Sequence, residues 1–223
     1  RLVGRYLVED FLDENGEPII DENNDYSFFI ADVDQDGVGA DTLLTRLRAN
    51  HPSAQLCHRL DAATGGIVLA AADDAVLAQA LEAFRAHRVQ KTYHALVRGG
   101  PSEEAGIIHA PIARKPLPSL LREINPEGKP SVTEYRVVSR TGSVSVLALK
   151  PVTGRTHQLR LHCCHMGFPI LGDPQYGSEE SQNFSQTLGL SHQMLCAKRL
   201  ELEHPITGEK LILESRMDVE LYR

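Results

Sequence analysis

The residues best suited to chemistry lie in three stretches: His58-Arg-Leu-Asp-Ala-Ala-Thr-Gly-Gly66, Lys91-Thr-Tyr-His-Ala-Leu-Val-Arg-Gly99 and Gly154-Arg-Thr-His-Gln-Leu-Arg-Leu-His162. The first centres on Asp61, a carboxylate in a turn ahead of an apolar run. A carboxylate in that setting can act as a nucleophile or base, because reactive groups are commonly carried on loops held by rigid elements. Taken alone, Asp61 reads more readily as a turn residue, since Asp caps turns through local backbone hydrogen bonds. The cluster His157, His162, Cys163, Cys164 and His165 has the ligand types that zinc accepts. Its only regular spacing is i, i+3 between His162 and His165, with no second ligand pair at zinc-finger distance, so no metal is expected.

The elements that must position these groups follow from periodicity. The short apolar run at 67–72 reads as a strand buried on both faces. Upstream, 26–33 reads as a strand, 34–39 as a loop, and 42–49 as a short helix with Asp41 as its N-cap. Asp73 and Asp74 precede an amphipathic helix with Val76, Leu77, Ala80, Leu81 and Phe84 on one face. Residues 91–99 alternate as a strand does, and 131–139 with 143–151 read as a hairpin around Thr141-Gly142. Residues 101–130 hold six prolines and the bases Arg114, Lys115, Arg122 and Lys129, and read as a long irregular excursion. A helix is expected over 156–166, a loop over 169–177, a polar, mobile stretch over 178–191, and closing strands over 194–202 and 211–217. The 2–8 segment is a weak strand.

The whole reads as one α+β domain with a mixed, mostly antiparallel sheet and flanking helices, without internal repeat or linker. Residues 1–19 are taken as an N-terminal extension, open to truncation upstream because the first residue is Arg1 rather than Met, and 20–223 as the main domain. Of 223 residues, 42% are hydrophobic and 24% charged, ordinary values for a globular chain. There is no signal-peptide pattern and no membrane-length apolar run, so a cytoplasmic protein is expected. Cys57, Cys163, Cys164 and Cys196 form no CxxC pair and read as free, mostly buried thiols. The net charge of −7 argues against a nucleic-acid partner until its distribution is considered. Residues 1–50 carry 12 acids and 4 bases, while the rest carries 18 acids, 19 bases and all ten histidines. A basic cleft outside the N-terminal fifth is therefore compatible with the composition.

The three stretches, in this order and with Gly167-Phe-Pro-Ile-Leu-Gly-Asp-Pro-Gln-Tyr-Gly177 after them, resemble the RluA type of RNA pseudouridine synthase. Gly128-Lys-Pro before Thr133-Glu-Tyr, and His204-Pro-Ile-Thr-Gly-Glu209, are weaker matches, and the resemblance spans roughly residues 20–215. It implies a sheet with flanking helices around a central catalytic cleft. It also implies isomerisation of uridines in rRNA or tRNA with no cofactor, on a base taken out of its stack. Asp61 would be the carboxylate nucleophile or base at the sugar, as carboxylates are at other sugar carbons. A sheltered carboxylate needs a fixed cation beside it, and the resemblance gives that role to Arg160. Tyr93 would stack on the uracil, where packing within the sheet is the bland alternative. Arg59, Leu161, Arg155 and His157 would contact the substrate, and Arg114 and Lys115 belong to a loop suited to gripping the RNA backbone.

The chain departs from the family pattern in three places. Ala31-Asp-Val-Asp-Gln-Asp-Gly37 stands where a Lys-Pro-x-Gly motif is common, so acids at Asp32–Asp36 replace a basic entry. Gly65 follows Thr64 where Ser or Ala is usual, and Cys196 stands in a common Leu-His-Ala position. Two other readings compete: a non-catalytic RNA-binding or chaperone-like relative, and a carboxylate glycosidase, which would need a second well-placed acid. Neither Glu82 nor Glu134 lies in the three principal stretches. Retention of Asp61, Tyr93 and Arg160 together favours the enzyme, expected as a monomer with RNA as partner and no membrane association.

Overall fold

The computed structural model describes residues 6–10, 28–33, 43–61, 63–117, 119, 121–190, 192–204 and 207–219. In chain order the first elements are β1 (Tyr6–Asp10), β2 (Phe28–Val33), α1 (Leu43–Asn50), β3 (Gln55–Leu56), β4 (Gly65–Ala71) and α2 (Asp74–Arg85). Then follow β5 (Gln90–Arg98), β6 (Ala105–His109), β7 (Ile112–Arg114), β8 (Arg122–Ile124), β9 (Val132–Thr141) and β10 (Val144–Pro151). The chain closes with α3 (Gln158–His165), α4 (Glu179–Thr187), β11 (Leu195–Glu203) and β12 (Lys210–Glu214). These elements fall into two compact units, Arg1–Lys91 with Ala197–Met217, and Thr92–Cys196 with Asp218–Arg223.

The first unit is organised by β4, whose seven residues are all buried. Ile67, Leu69 and Ala71 face one core with Val76, Ala80 and Ala83 of α2 and with Leu200 and Leu202 of β11. Val68 and Ala70 face the opposite core with Leu43 and Leu47 of α1 and Ala54. This is the two-sided burial expected of an uninterrupted apolar run. The strands are ordered β1-β2-β4-β11, with β3 also on β4 and β12 on β11. The β1–β2, β2–β4, β3–β4 and β11–β12 ladders are antiparallel. Helix α2 begins where Asp73 accepts the Val76 N–H at 2.8 Å through Oδ1, a side-chain N-cap. The expected loop over 34–39 and the Asp41 cap lie outside the described residues.

The second unit carries strands in the order β5-β10-β9-β6 and a separate β7–β8 pair. The expected hairpin is present as β9 and β10, turning through Gly142 at φ 58°. Leu159 and Cys163 of α3 pack against Ala95, Val97, Leu147 and Leu149 of β5 and β10. Two expectations are corrected here. The 101–130 excursion contains β6, paired antiparallel to β9, as well as the β7–β8 pair. Its prolines at 101, 111, 116, 126 and 130 stand between these strands rather than inside them, where they cost no ladder hydrogen bond. The polar 178–191 stretch contains α4, N-capped by Ser178 Oγ accepting from the Ser181 N–H at 3.2 Å. Its buried face is made of Ser181 and Ser185, so it lacks the apolar stripe by which helices are read. Ser185 Oγ donates to the Ser181 carbonyl and accepts from the Gly172 N–H.

Glycine is obligatory at the last position of the first motif. Gly66 has φ +106°, and a Cβ there would lie 2.4 Å from the Ala197 carbonyl oxygen. Gly66→Ala is expected to destabilise the protein by more than ~2 kcal/mol, from a strained φ and a backbone clash together. Urea unfolding and thermal melting check this, with a drop in Tm of about 4 °C or more expected for a chain of this size.

Candidate active site

The loop carrying Asp61 leaves β3 and returns through Thr64 into β4. Its stem is fixed on both sides of Leu69. The Cys57 N–H donates to the Leu69 carbonyl at 2.8 Å, and the Leu69 N–H donates to His58 Nε2 at 3.0 Å. The second bond requires His58 to be neutral, with Nε2 unprotonated. Burial, and secondarily the charge of Lys91, push the His58 pKa down to about 4. The ring lies 5.1 Å from that of Phe84, and Lys91 Nζ stands 5.7 Å over the other ring's centroid. Burial lowers the Lys91 pKa too. Beyond the stem, the Thr64 N–H donates to the Asp61 carbonyl at 3.0 Å, closing a turn in which Ala63 takes φ 63°. A non-glycine residue in that region is costly and persists where its surroundings impose it. Asp61 is half-buried in this turn and Arg59 is exposed.

The third motif forms the other cluster of polar side chains. Arg160 on α3 is 4% exposed and pairs with Asp173, 3% exposed, through Nε–Oδ2 and Nη2–Oδ1 contacts of 2.7 Å each. Nη2 also donates to Gln175 Oε1 at 2.8 Å. Asp173 Oδ1 accepts in addition from the N–H groups of Gln175 and Tyr176 at 2.9 and 3.2 Å. A buried ion pair offsets its desolvation only with good geometry and satisfied remaining lone pairs, and both conditions hold here. The guanidinium lies 4.8 Å over the Tyr176 ring. The Tyr176 hydroxyl accepts from the Arg122 N–H at 3.0 Å and lies 2.7 Å from His157 Nδ1. His157 enters the helix at φ 59° and is its N-cap residue without a side-chain cap bond, which shortens the expected 156–166 helix by two residues at its start.

A buried network ties α3 to the strands. Gln158 donates through Nε2 to the Val132 carbonyl and Thr133 Oγ1, and accepts through Oε1 from Thr153 Oγ1 and the Arg155 N–H. His162, fully buried, lies 3.0 Å from the Ala110 carbonyl through Nε2 and 2.8 Å from Thr133 Oγ1 through Nδ1. A carbonyl only accepts, so Nε2 carries the proton and Nδ1 takes the threonine hydrogen. Burial lowers the His162 pKa, in keeping with that neutral form. Burial pushes the thiols of Cys163 and Cys164 up, and that of Cys57 up to about 12. They are therefore poor nucleophiles and poor thiolate ligands. Among the described residues no group of three His, Cys, Asp or Glu side chains is placed to hold a metal ion.

The sequence candidates are distributed as follows. Asp61 and Arg59 belong to the first unit, and Tyr93, Arg160, Leu161, Arg155, His157, Arg114 and Lys115 to the second. Tyr93 stands opposite Leu149 on β10 and packs, partly buried, on the cluster containing Leu159 and Cys163. Leu161 is buried with Ile112 and Tyr176. Arg114 and Arg155 are exposed and Lys115 is half-buried. Sequence reasoning assigned no role to Asp173, Tyr176, Gln158 or His58. The first two lie in the Gly-Asp-Pro-Gln-Tyr-Gly run already set against the family pattern, which was the available signal.

The RNA pseudouridylate synthase family matches residues 34–165, a segment containing Asp61, Tyr93 and Arg160. The "Ribosomal large subunit pseudouridine synthase C" of Vibrio cholerae serotype O1 is 35% identical over 178 residues, covering 78% of this chain and 56% of the relative. The protein of that name from Yersinia pestis is 39% identical over 180 residues, with coverages of 78% and 56%. The chain thus spans about half the length of the curated relatives it matches. Among solved structures, "Human RNA Pseudouridylate Synthase Domain Containing 1" superposes with a TM-score of 0.75 at 31% identity, covering 86% of this chain and 80% of the other. "Human RNA Pseudouridylate Synthase Domain Containing 4" gives 0.68 at 26% identity, with coverages of 86% and 85%.

Two outcomes follow from the buried groups. Asp173→Ala strands the Arg160 charge and is expected to cost ~3–5 kcal/mol in urea unfolding, with Asp173→Asn costing less. His58 favours its neutral form in the fold, so the unfolded chain takes up this proton first as pH falls. Its contribution is complete above the ordinary value of ~6.5 and is lost by at most ~1.4 kcal/mol per pH unit towards pH 4. Buried His162 and His204 act in the same direction. The check is therefore a comparison of melting curves over that window, in which His58→Gln shows a shallower pH dependence than wild type.

Proposed function

Because the chain belongs to the RNA pseudouridylate synthase family, we propose that it isomerises uridine to pseudouridine in RNA, with large-subunit ribosomal RNA as the first substrate to test. The relatives from Vibrio cholerae and Yersinia pestis are named for that RNA. The single observation that carries the reading is Asp61, held in a turn pinned to a fully buried strand, inside the family-matched segment.

In this reading the target base leaves its stack, since its reacting atoms are unreachable within a helix. The C1′–N1 bond breaks and a C1′–C5 bond forms. The C5 hydrogen leaves as a proton to water and N1 gains a proton, so the change is mass-neutral and consumes no co-reactant. Asp61 supplies the carboxylate acting on the nucleoside. Tyr93 offers a flat surface for the extruded uracil, a contact worth ~1–3 kcal/mol per base. Arg160, held by Asp173 in a buried ion pair, supplies a fixed guanidinium to the second unit's polar cluster. Arg59, exposed two residues before Asp61, supplies a cation for a phosphate of the RNA. The chain is taken to act as a cytoplasmic monomer. Among the described residues no helix is long and apolar enough to cross a membrane.

The test uses ribosomal RNA labelled with tritium at uridine C5, incubated with the protein without added metal or cofactor. Wild type is expected to release tritium to water. Asp61→Asn is expected to lose release by at least ~10³-fold, the scale seen when a catalytic nucleophile or base is removed, while binding RNA and melting as wild type does. Release retained by Asp61→Asn would refute the assignment. Binding without release by wild type would favour a non-catalytic RNA-binding protein.

A further inference from the structure

The residue that opens α3 is held in a costly conformation. His157 is the N-cap of the helix at φ 59°, in the left-handed region, and its side chain makes no cap bond. Its carbonyl accepts the first helical bond, from the Leu161 N–H at 3.0 Å. The loop entering the helix is closed by its neighbour instead, Gln158 Oε1 accepting from the Arg155 N–H at 3.0 Å. Glycine or asparagine would hold this backbone with less strain, and either is a better cap than histidine. The imidazole therefore brings nothing to the helix end that a less strained residue would lack. Strained non-glycine residues concentrate where a side chain has a separate duty.

That duty follows from the partner on one edge of the ring. Nδ1 of His157 lies 2.7 Å from the Tyr176 hydroxyl oxygen. The same oxygen accepts from the Arg122 backbone N–H at 3.0 Å, a group that can only donate. Among the described residues the hydroxyl meets no third polar group, so its own proton goes to Nδ1. Burial raises the Tyr176 pKa, and the hydroxyl keeps that proton at neutral pH. Tyr176 has little freedom to turn aside. It is buried with Ile112 and Leu161, and the Arg160 guanidinium stands 4.8 Å over its ring. The His157 and Tyr176 rings meet edge to face, with centroids 5.5 Å apart at 70°. A neutral imidazole that accepts at Nδ1 carries its proton on Nε2, and the two nitrogens diverge from one ring. With Nδ1 turned to the buried tyrosine, the Nε2–H of half-buried His157 is turned the other way.

We propose that Tyr176 is a positioning residue that fixes the tautomer and orientation of His157, so that its Nε2–H is a preset hydrogen-bond donor to an oxygen of the substrate RNA. RNA carries such acceptors as base carbonyls and phosphodiester oxygens. A neutral donor with a fixed direction demands one acceptor in one place, which a mobile lysine does not. Because ring angle and tautomer are set before RNA arrives, neither freedom is lost on binding. The inference deepens the reading of the chain as an RNA-modifying enzyme and rests on it for the identity of the partner.

The test compares wild type, Tyr176→Phe, His157→Gln and the double variant on ribosomal RNA tritiated at uridine C5. Imidazole nitrogen NMR at about pH 8, above the ordinary histidine value, supplies a readout that needs no turnover. Phenylalanine keeps the packing and the face under Arg160 and removes only the hydroxyl. Glutamine offers an N–H donor and has no tautomer to set. Wild type is expected to show one His157 tautomer, protonated at Nε2, and Tyr176→Phe to shift or average those resonances. Tyr176→Phe is expected to lower kcat/KM about tenfold, the scale of one lost hydrogen bond. His157→Gln loses activity as well, and in its background Tyr176→Phe causes no further loss, because the hydroxyl acts through the imidazole. An effect on KM that varies with salt assigns the acceptor to a phosphate, and one that salt leaves alone assigns it to a base carbonyl; both support the proposal. Equal losses from Tyr176→Phe in both backgrounds would overturn it, since the hydroxyl would then serve the fold alone. A wild-type His157 protonated at Nδ1 would overturn it too, whether or not Tyr176→Phe folds. If RNA perturbs the wild-type Nε2–H resonance but no tritium is released, the donor stands and the catalytic reading falls.

Discussion

The ion pair between Arg160 and Asp173 is the interaction on which the second unit's buried polar cluster depends. Two bonds of 2.7 Å join groups that are almost wholly removed from water. Breaking one partner leaves the other as an uncompensated buried charge, so the pair tolerates little displacement. It fixes the Gly-Asp-Pro-Gln-Tyr-Gly loop against α3, and through that loop it fixes Tyr176, whose hydroxyl meets both His157 and the backbone of Arg122. Gln158 and His162 supply the corresponding hold on β9 and on Ala110. Every residue of the third motif that is buried and polar has its partners, which is what makes a helix with so polar a buried face affordable.

Asp61 is held by different physics. Its unit contributes a strand packed on both faces by apolar side chains, and the turn is attached to that strand by backbone bonds and one neutral histidine. His58 thus ties the turn to β4 through the Leu69 N–H. Its environment keeps it neutral, so the tether survives at ordinary pH. One unit therefore places a carboxylate through hydrophobic burial, and the other places a guanidinium through a polar network.

Much of this was legible because it is written in local periods. The run at 67–71, the apolar face of α2 and the Gly142 hairpin each carry a period or turn residue that a window of a few residues contains. Helix α4 was missed because its buried face is serine, and hydroxyls satisfied within one turn look like any polar loop. Strands β6–β8 were missed because they are short, lie among prolines, and owe their existence to pairing with β9 or with each other. The partner of Arg160 was equally hidden. Asp173 lies 13 residues away, across a loop with no helical or strand spacing, and only a folded chain brings the two together. The motif residues themselves were found through an ordered resemblance, and the family match over 34–165 confirms the membership that it implied.

The most direct measurement of the central claim is a nucleoside inventory. Ribosomal RNA incubated with the protein is digested completely, and uridine, pseudouridine and free uracil are quantified by chromatography with mass detection. The expected result is a mole-for-mole exchange of uridine for a nucleoside of identical mass, with no free uracil. Free uracil in place of that nucleoside would mean that the glycosidic bond is cut and not remade, and would contradict isomerisation.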